Sequence, residues 1–142
     1  MPPAHALTID LPLPLAAAIE TLRAALATEQ MGIVSEVDVQ TTLKAKLGLD
    51  SHPQKLLGIC SPNVAHAILS AEPDMGAMLP CGCGVAEAQT GVTRIVLQDP
   101  AVIAEATDNP AVRAACELAT AALQRVMARL ANSIMVQPAS TT

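Results

Sequence analysis

The sequence predicts a single α+β domain: an antiparallel or mixed sheet of about five strands, helices packed on it, and a long C-terminal helix. Three observations predict it. Apolar residues alternate at strand spacing in several short runs, and in others they recur at helical spacing. A hydrophobic content of 51% over 142 residues also supplies material for one core. Charged residues make up 15%, which places the chain among globular rather than disordered proteins.

Thr8 to Leu13 alternates, with Ile9, Leu11 and Leu13 on one side, as a half-buried strand does. Pro12 and Pro14 have no amide donor, so this strand belongs at a sheet edge or is close to its end there. Leu15, Ile19, Leu22 and Leu26 then fall at helical spacing opposite Glu20 and Arg23. "MGIVSEVD", Met31 to Asp38, gives a second strand whose alternation is interrupted by an inserted Ser35. Asp38 is placed to cap a short helix carrying Val39, Leu43 and Leu47, and Gly48 supplies a left-handed exit.

"KLLGIC", Lys55 to Cys60, reads as a buried strand between "SHP" and "SP". Ser61 and Pro62 start a helix with a capping hydroxyl and a proline in the first turn; Val64, Ala65, Ile68 and Leu69 face inward. Pro73 and Gly76 stop it. "AMLPCGCGVAE" and "VTRIVL" flank "AQTG", a hairpin turning at Gly91. Asp99–Pro100 opens a brief helix and Asn109–Pro110 the last one. The last helix is striped by Val112, Cys116, Ala119, Leu123, Val126 and Leu130. Residues 1–6 are expected to be disordered, 7–133 to form the domain, and 134–142 to fray.

Composition excludes several partners. Net charge is −5, with no basic cluster and no Phe, Tyr or Trp, so neither phosphate neutralisation nor base stacking favours nucleic acid. "LPLPLAAAI" is short and broken by proline, and Leu56 to Ala71 is too short to span a bilayer, so no signal peptide and no membrane segment are read. The expected location is cytoplasmic, where thiols stay reduced. Serine-hydrolase, P-loop and dinucleotide signatures are absent, since "CGCGV" lacks a following Lys-Ser/Thr and sits in a strand.

"MGIVSEVDVQTTLKAKLG", "KLLGICSPNVAHAIL" and "AEPDMGAMLPCGCGV" follow one another in the order and approximate spacing of the DUF302 family of bacterial and archaeal proteins. The chain resembles that family over roughly residues 7 to 100, most specifically in its "GxCxP" and "EPxxGxxLPC" segments. The resemblance implies a small α+β domain, with helices on a sheet, that forms a homodimer; the family name assigns no activity. The chain departs from the pattern at Met31, where the family usually has Phe, at Gly82–Cys83 after "LPC", and in its long C-terminal helix.

Cys60 matches the cysteine of "GxCxP" and Cys81 that of "LPC". On a strand, Leu79, Cys81, Cys83 and Val85 share one face, with the two cysteines about 6.6 Å apart at Cα. If the strand carrying Cys60 neighbours this one, three sulfurs approach each other. They then read as small core hydrophobes, as reactive or sulfur-handling thiols, or as soft-metal ligands with His66, His52 or an exogenous group as a fourth. Cys116 reads as core. Asn63, directly after the "GxCxP" segment, and Glu72, in "EPxxG", complete the candidate site. The expected function is that of a non-catalytic, small-ligand-binding homodimer with a cysteine-lined site at Cys60, Cys81 and Cys83. Thiol-based redox, sulfur handling or soft-metal binding is the alternative, and no cofactor is required.

Overall fold

The strands are β1 (Ala6–Leu11), β2 (Gly32–Asp38), β3 (Gln54–Cys60), β4 (Cys81–Gln89) and β5 (Val92–Gln98). The helices are α1 (Leu15–Ala27), α2 (Val39–Leu47), α3 (Pro62–Ala71), α4 (Ala101–Glu105) and α5 (Pro110–Met135), with a 3-10 segment at Pro73–Met78. They come from a computed structural model that describes residues 4–135. The parts of the expected disordered start and frayed tail at 1–3 and 136–142 lie outside the described residues.

All five strands form one sheet in the order β1-β5-β4-β3-β2, and every pairing is antiparallel. β1 is an edge strand and stops at Leu11, directly before the first of the two prolines that cannot donate to a ladder. It begins at Ala6, opposite Gln98, and the His5 carbonyl accepts a hydrogen bond from Asp99 N at 2.8 Å. β2 is the other edge. Its register slips between Ile33 and Ser35, so the extra residue of the bulge is the exposed Val34 rather than the Ser35 expected from the pattern.

Residues at alternate positions turn one face of the sheet inward. Leu57, Cys83 and Leu97 lie side by side on β3, β4 and β5, with Val85 and Ile95 as the next pair. α1 covers this face with Ile19, Leu22 and Leu26, and α5 with Leu123, Val126 and Leu130. Each such aliphatic side chain contributes about 1.5–3 kcal/mol through burial. A smaller core joins Ile68, Met75, Ile103, Val112 and Cys116 between α3, α4 and α5.

Helix ends follow the sequence signals with one exception. The Asp38 carboxylate accepts from Thr41 N at 3.0 Å and Gly48 takes φ +67° after α2. Asn109 Oδ1 accepts from Ala111 N and Val112 N, fixing the start of α5. Ser61 precedes α3 as expected, but its hydroxyl makes no capping bond. Among the described residues no helix is long and apolar enough to cross a membrane.

Candidate functional site

The antiparallel register places the end of β3, the start of β4 and the end of β5 at one end of the sheet. Ile59 lies opposite Cys81, and Cys83 lies opposite Leu97. α3 leaves β3 at this end, and α4 and α5 pack beside it, so the sheet and three helices line a partly open cavity of about 50 Å³. Ile59, Cys60, Cys81 and Leu97 form its sheet wall. Val64, Ala65 and Ile68 of α3, Ile103 of α4, and Cys116, Ala119 and Leu123 of α5 close it. A water-sized site takes roughly 10–15 Å³ on this measure, so the space suits about three to five such groups and not a ring system.

Three sulfurs face this space. Cys81 has the inward parity of β4. Cys60 alternates with Ile59, but it is the last residue of β3 and reaches the same cavity where the chain turns into α3. Cys116, expected only as core, is buried in the stripe of α5 and also lines the cavity. Burial pushes the Cys81 thiol up to about 11, and the neighbouring Cys116 and Cys60 sulfurs add to the rise. Burial likewise raises Cys116.

Cys83 lies deeper. It sits between Leu57 and Leu97, does not line the cavity, and is pushed up to about 12 by burial. All four cysteines are free. These environments favour the neutral thiol at Cys81, Cys83 and Cys116, and the thiolate is the form that attacks or ligates.

The other candidate residues stand apart from the cavity. Asn63 is exposed in the first turn of α3. His66 is exposed on the same helix, with Nδ1 3.5 Å from Ser70 Oγ. Glu72 accepts a hydrogen bond from Thr107 Oγ1 at 2.5 Å, and Asn109 Nδ2 donates to Ala71 O at 3.2 Å, so this corner ties α3 to α5. Among the described residues no group of three His, Cys, Asp or Glu side chains is placed to hold a metal ion. Cys60 and Cys81 line the cavity, and neither Cys83 nor His66 does.

Sequence reasoning did not find two polar residues at the cavity. Ser61 lines it with a hydroxyl that caps nothing. Gln98, the last residue of β5, also lines it, and its side-chain Oε1 is buried without a hydrogen-bond partner. The available signal was positional. Gln98 ends a strand whose inward residues were already assigned, and Ser61 follows Cys60 directly.

A five-stranded antiparallel sheet backed by helices, with a cysteine-walled cavity at one sheet end, defines a small α+β domain. The chain belongs to the family described as Domain of unknown function DUF302, whose sequence pattern it matches over residues 7–130. It is similar to a solved structure described as an uncharacterized conserved protein DUF302 from Bacillus stearothermophilus. The two share 28% identity and a TM-score of 0.74, over 91% of this chain and 98% of that one. No curated protein matches the chain.

Proposed function

We propose that this DUF302 domain is a non-catalytic cytosolic protein that holds a small molecule in the cavity walled by Cys60, Cys81 and Cys116, and that it acts as a homodimer. The cavity carries the reading. It is lined mostly by aliphatic side chains, and among the described residues no charged side chain and no metal-ligand cluster lines it. The raised thiols at Cys81 and Cys116 weigh against nucleophilic sulfur chemistry as the main role.

The dimer is supported by where exposed aliphatic residues gather. Val34, Val37, Leu47, Leu49 and Leu56 are all exposed and all lie between Gly32 and Cys60. That segment holds Glu36, Asp38 and Asp50 against Lys44, Lys46 and Lys55, so it is neutral in a chain of net charge −5. Two copies meet there without the like-charge repulsion that the rest of the surface imposes. α2, in the middle of the segment, has no buried residue.

Two measurements test this reading. Titrating reduced, methyl-labelled protein with propan-1-ol is expected to shift the Ile59, Ile68 and Ile103 methyls saturably; shifts spread over the whole surface would contradict a cavity site. Native mass spectrometry is expected to give the dimer mass, shifting to monomer in Val37→Asp. A wild-type monomer at micromolar concentration would remove the dimer from the proposal.

A further inference from the structure

α1 and α5 cover one face of the sheet, and the alternate residues of each strand point the other way. The register sets five of these outward residues in one row across all five strands. They are Thr8 on β1, Val96 on β5, Gly84 on β4, Leu56 on β3 and Val37 on β2. An antiparallel sheet that turns a face to water ordinarily carries polar residues there. This row has no charged residue, and Leu56 and Val37 are 49% and 50% exposed. Among the described residues, the charged ones at outward ladder positions are Asp10 and Arg94, which pair with each other at 3.3 Å. Glu36 and Lys55 have the opposite parity and pair on the side of the helices.

The relief of this face matches itself. Leu56 stands directly opposite Gly84, so a projecting aliphatic side chain lies beside a position that has none. Gly82, two residues along, is equally bare, and a Cβ added there meets nothing within 4 Å. We infer that two copies of the chain pack through these outward sheet faces, about a twofold axis running along the strands between β3 and β4, with Leu56 of each copy seated over Gly84 of the other. The inference rests on the dimer reading of the preceding subsection and gives that dimer its interface.

A twofold contact must be self-complementary, with each feature of the patch meeting its counterpart twice. With this axis β3 faces β4 and β2 faces β5, so Leu56 fills the glycine gap and Val37 meets Val96. An axis along the row itself would set Leu56 against Leu56 and glycine against glycine, leaving a void at the centre. Charge favours a second copy as the occupant. A net charge of −5 opposes self-association over the surface as a whole, whereas this face carries only the Asp10–Arg94 pair and buries no unpaired charge.

Isotope-filtered NOE spectra of a dimer mixed from labelled and unlabelled wild-type chains test the geometry. Within one chain Val37 and Val96 lie three strand spacings apart, roughly 14 Å, too far for an NOE. A Val37–Val96 methyl NOE between copies is expected. A dimer without it would overturn the sheet-face assignment and leave the dimer standing. Gly82→Lys and Val96→Asp, both outside the Gly32–Cys60 segment, are expected to shift the native mass from dimer to monomer. Persistence of the dimer in both, with Val37→Asp monomeric, would put the interface at the β2 edge and overturn the inference. A monomeric wild type would instead remove the dimer reading, and this interface with it. Thermal unfolding reports whether each variant keeps its fold; should one lose it, the other variant and the wild-type NOE decide.

Discussion

Glu87 shows how a single side chain joins two elements that backbone pairing alone leaves apart. Its Oε1 accepts from Leu15 N at 2.8 Å, at a helix start where Pro14 offers no capping side chain, and its Oε2 accepts from Gly91 N at 2.9 Å in the hairpin turn. The Gly91 and Leu15 amides hold its carboxyl below the usual carboxylate range. A pKa lowered by folding stabilises above the unfolded value of 4.5 and is lost as pH falls through the lower folded value. Glu87→Gln is therefore expected to lower Tm at pH 7, with the gap to wild type closing as the pH falls below 4.5 and through the lower folded value; thermal scans across pH check this. A gap that stays constant with pH would contradict it. The thiols have the opposite sign. Their folded pKa values lie above 9.0, so Cys81 and Cys83 stabilise the fold below that pH, and their contribution is lost as the solution becomes more alkaline. Iodoacetamide at pH 8 is expected to leave Cys81, Cys83 and Cys116 unmodified in the folded chain, as read by peptide mass spectrometry. Rapid modification of Cys81 would instead favour the thiol-chemistry alternative.

At the scale of elements, the helix and hairpin signals were legible in the sequence because they are local. Asp38, Gly48, Gly91 and Asn109–Pro110 each set a boundary through their own backbone or side chain, and the structure places boundaries at all four. The β2 bulge was legible as an irregularity but not as a position, because register is decided between strands. The residue that gives way is set by what lies across the ladder. A Cβ at Gly58 would come 2.2 Å from Ser35 Oγ and 2.7 Å from Pro80 Cγ, so the ladder closes there only around a glycine. The serine hydroxyl can rotate away, but the proline ring cannot. Gly58→Ala is thus expected to destabilise by about 1–3 kcal/mol in urea unfolding, and adding Ser35→Ala is expected to recover little of it. Full recovery would show that the serine alone sets the constraint. The corner between α3 and α5 was legible only as a motif. Glu72 was marked by "EPxxG", yet its partner Thr107 lies 35 positions on and carries no local signal. Thr107→Val, which removes the donor to Glu72 and the acceptor for Asn109 N, is expected to cost about 1–2 kcal/mol without moving the cavity methyls.

For the whole molecule, the sheet order decides which cysteines meet. Two of the three cavity sulfurs, Cys60 and Cys81, were legible because their segments are neighbouring strands, and β3 does pair with β4. The third was assigned to Cys83 by strand spacing. That spacing is right about the face, but it cannot give depth, and Cys83 lies one row further in, beneath the helices. Cys116 takes the place beside the cavity because α5 crosses that end of the sheet, a packing fact that no window of sequence contains. The absence of aromatic residues was visible from composition, and its consequence appears only here: aliphatic and sulfur side chains close around a space of about 50 Å³. The proposed function rests on this space binding small apolar molecules specifically. Methyl spectra of the reduced protein under increasing xenon pressure test it most directly, because xenon enters apolar cavities and needs no hydrogen bond. Saturable shifts are predicted at Ile59, Ile68 and Ile103, with Ile19 of α1, which does not line the cavity, unmoved; an unsaturable drift shared equally by all four would contradict a binding cavity.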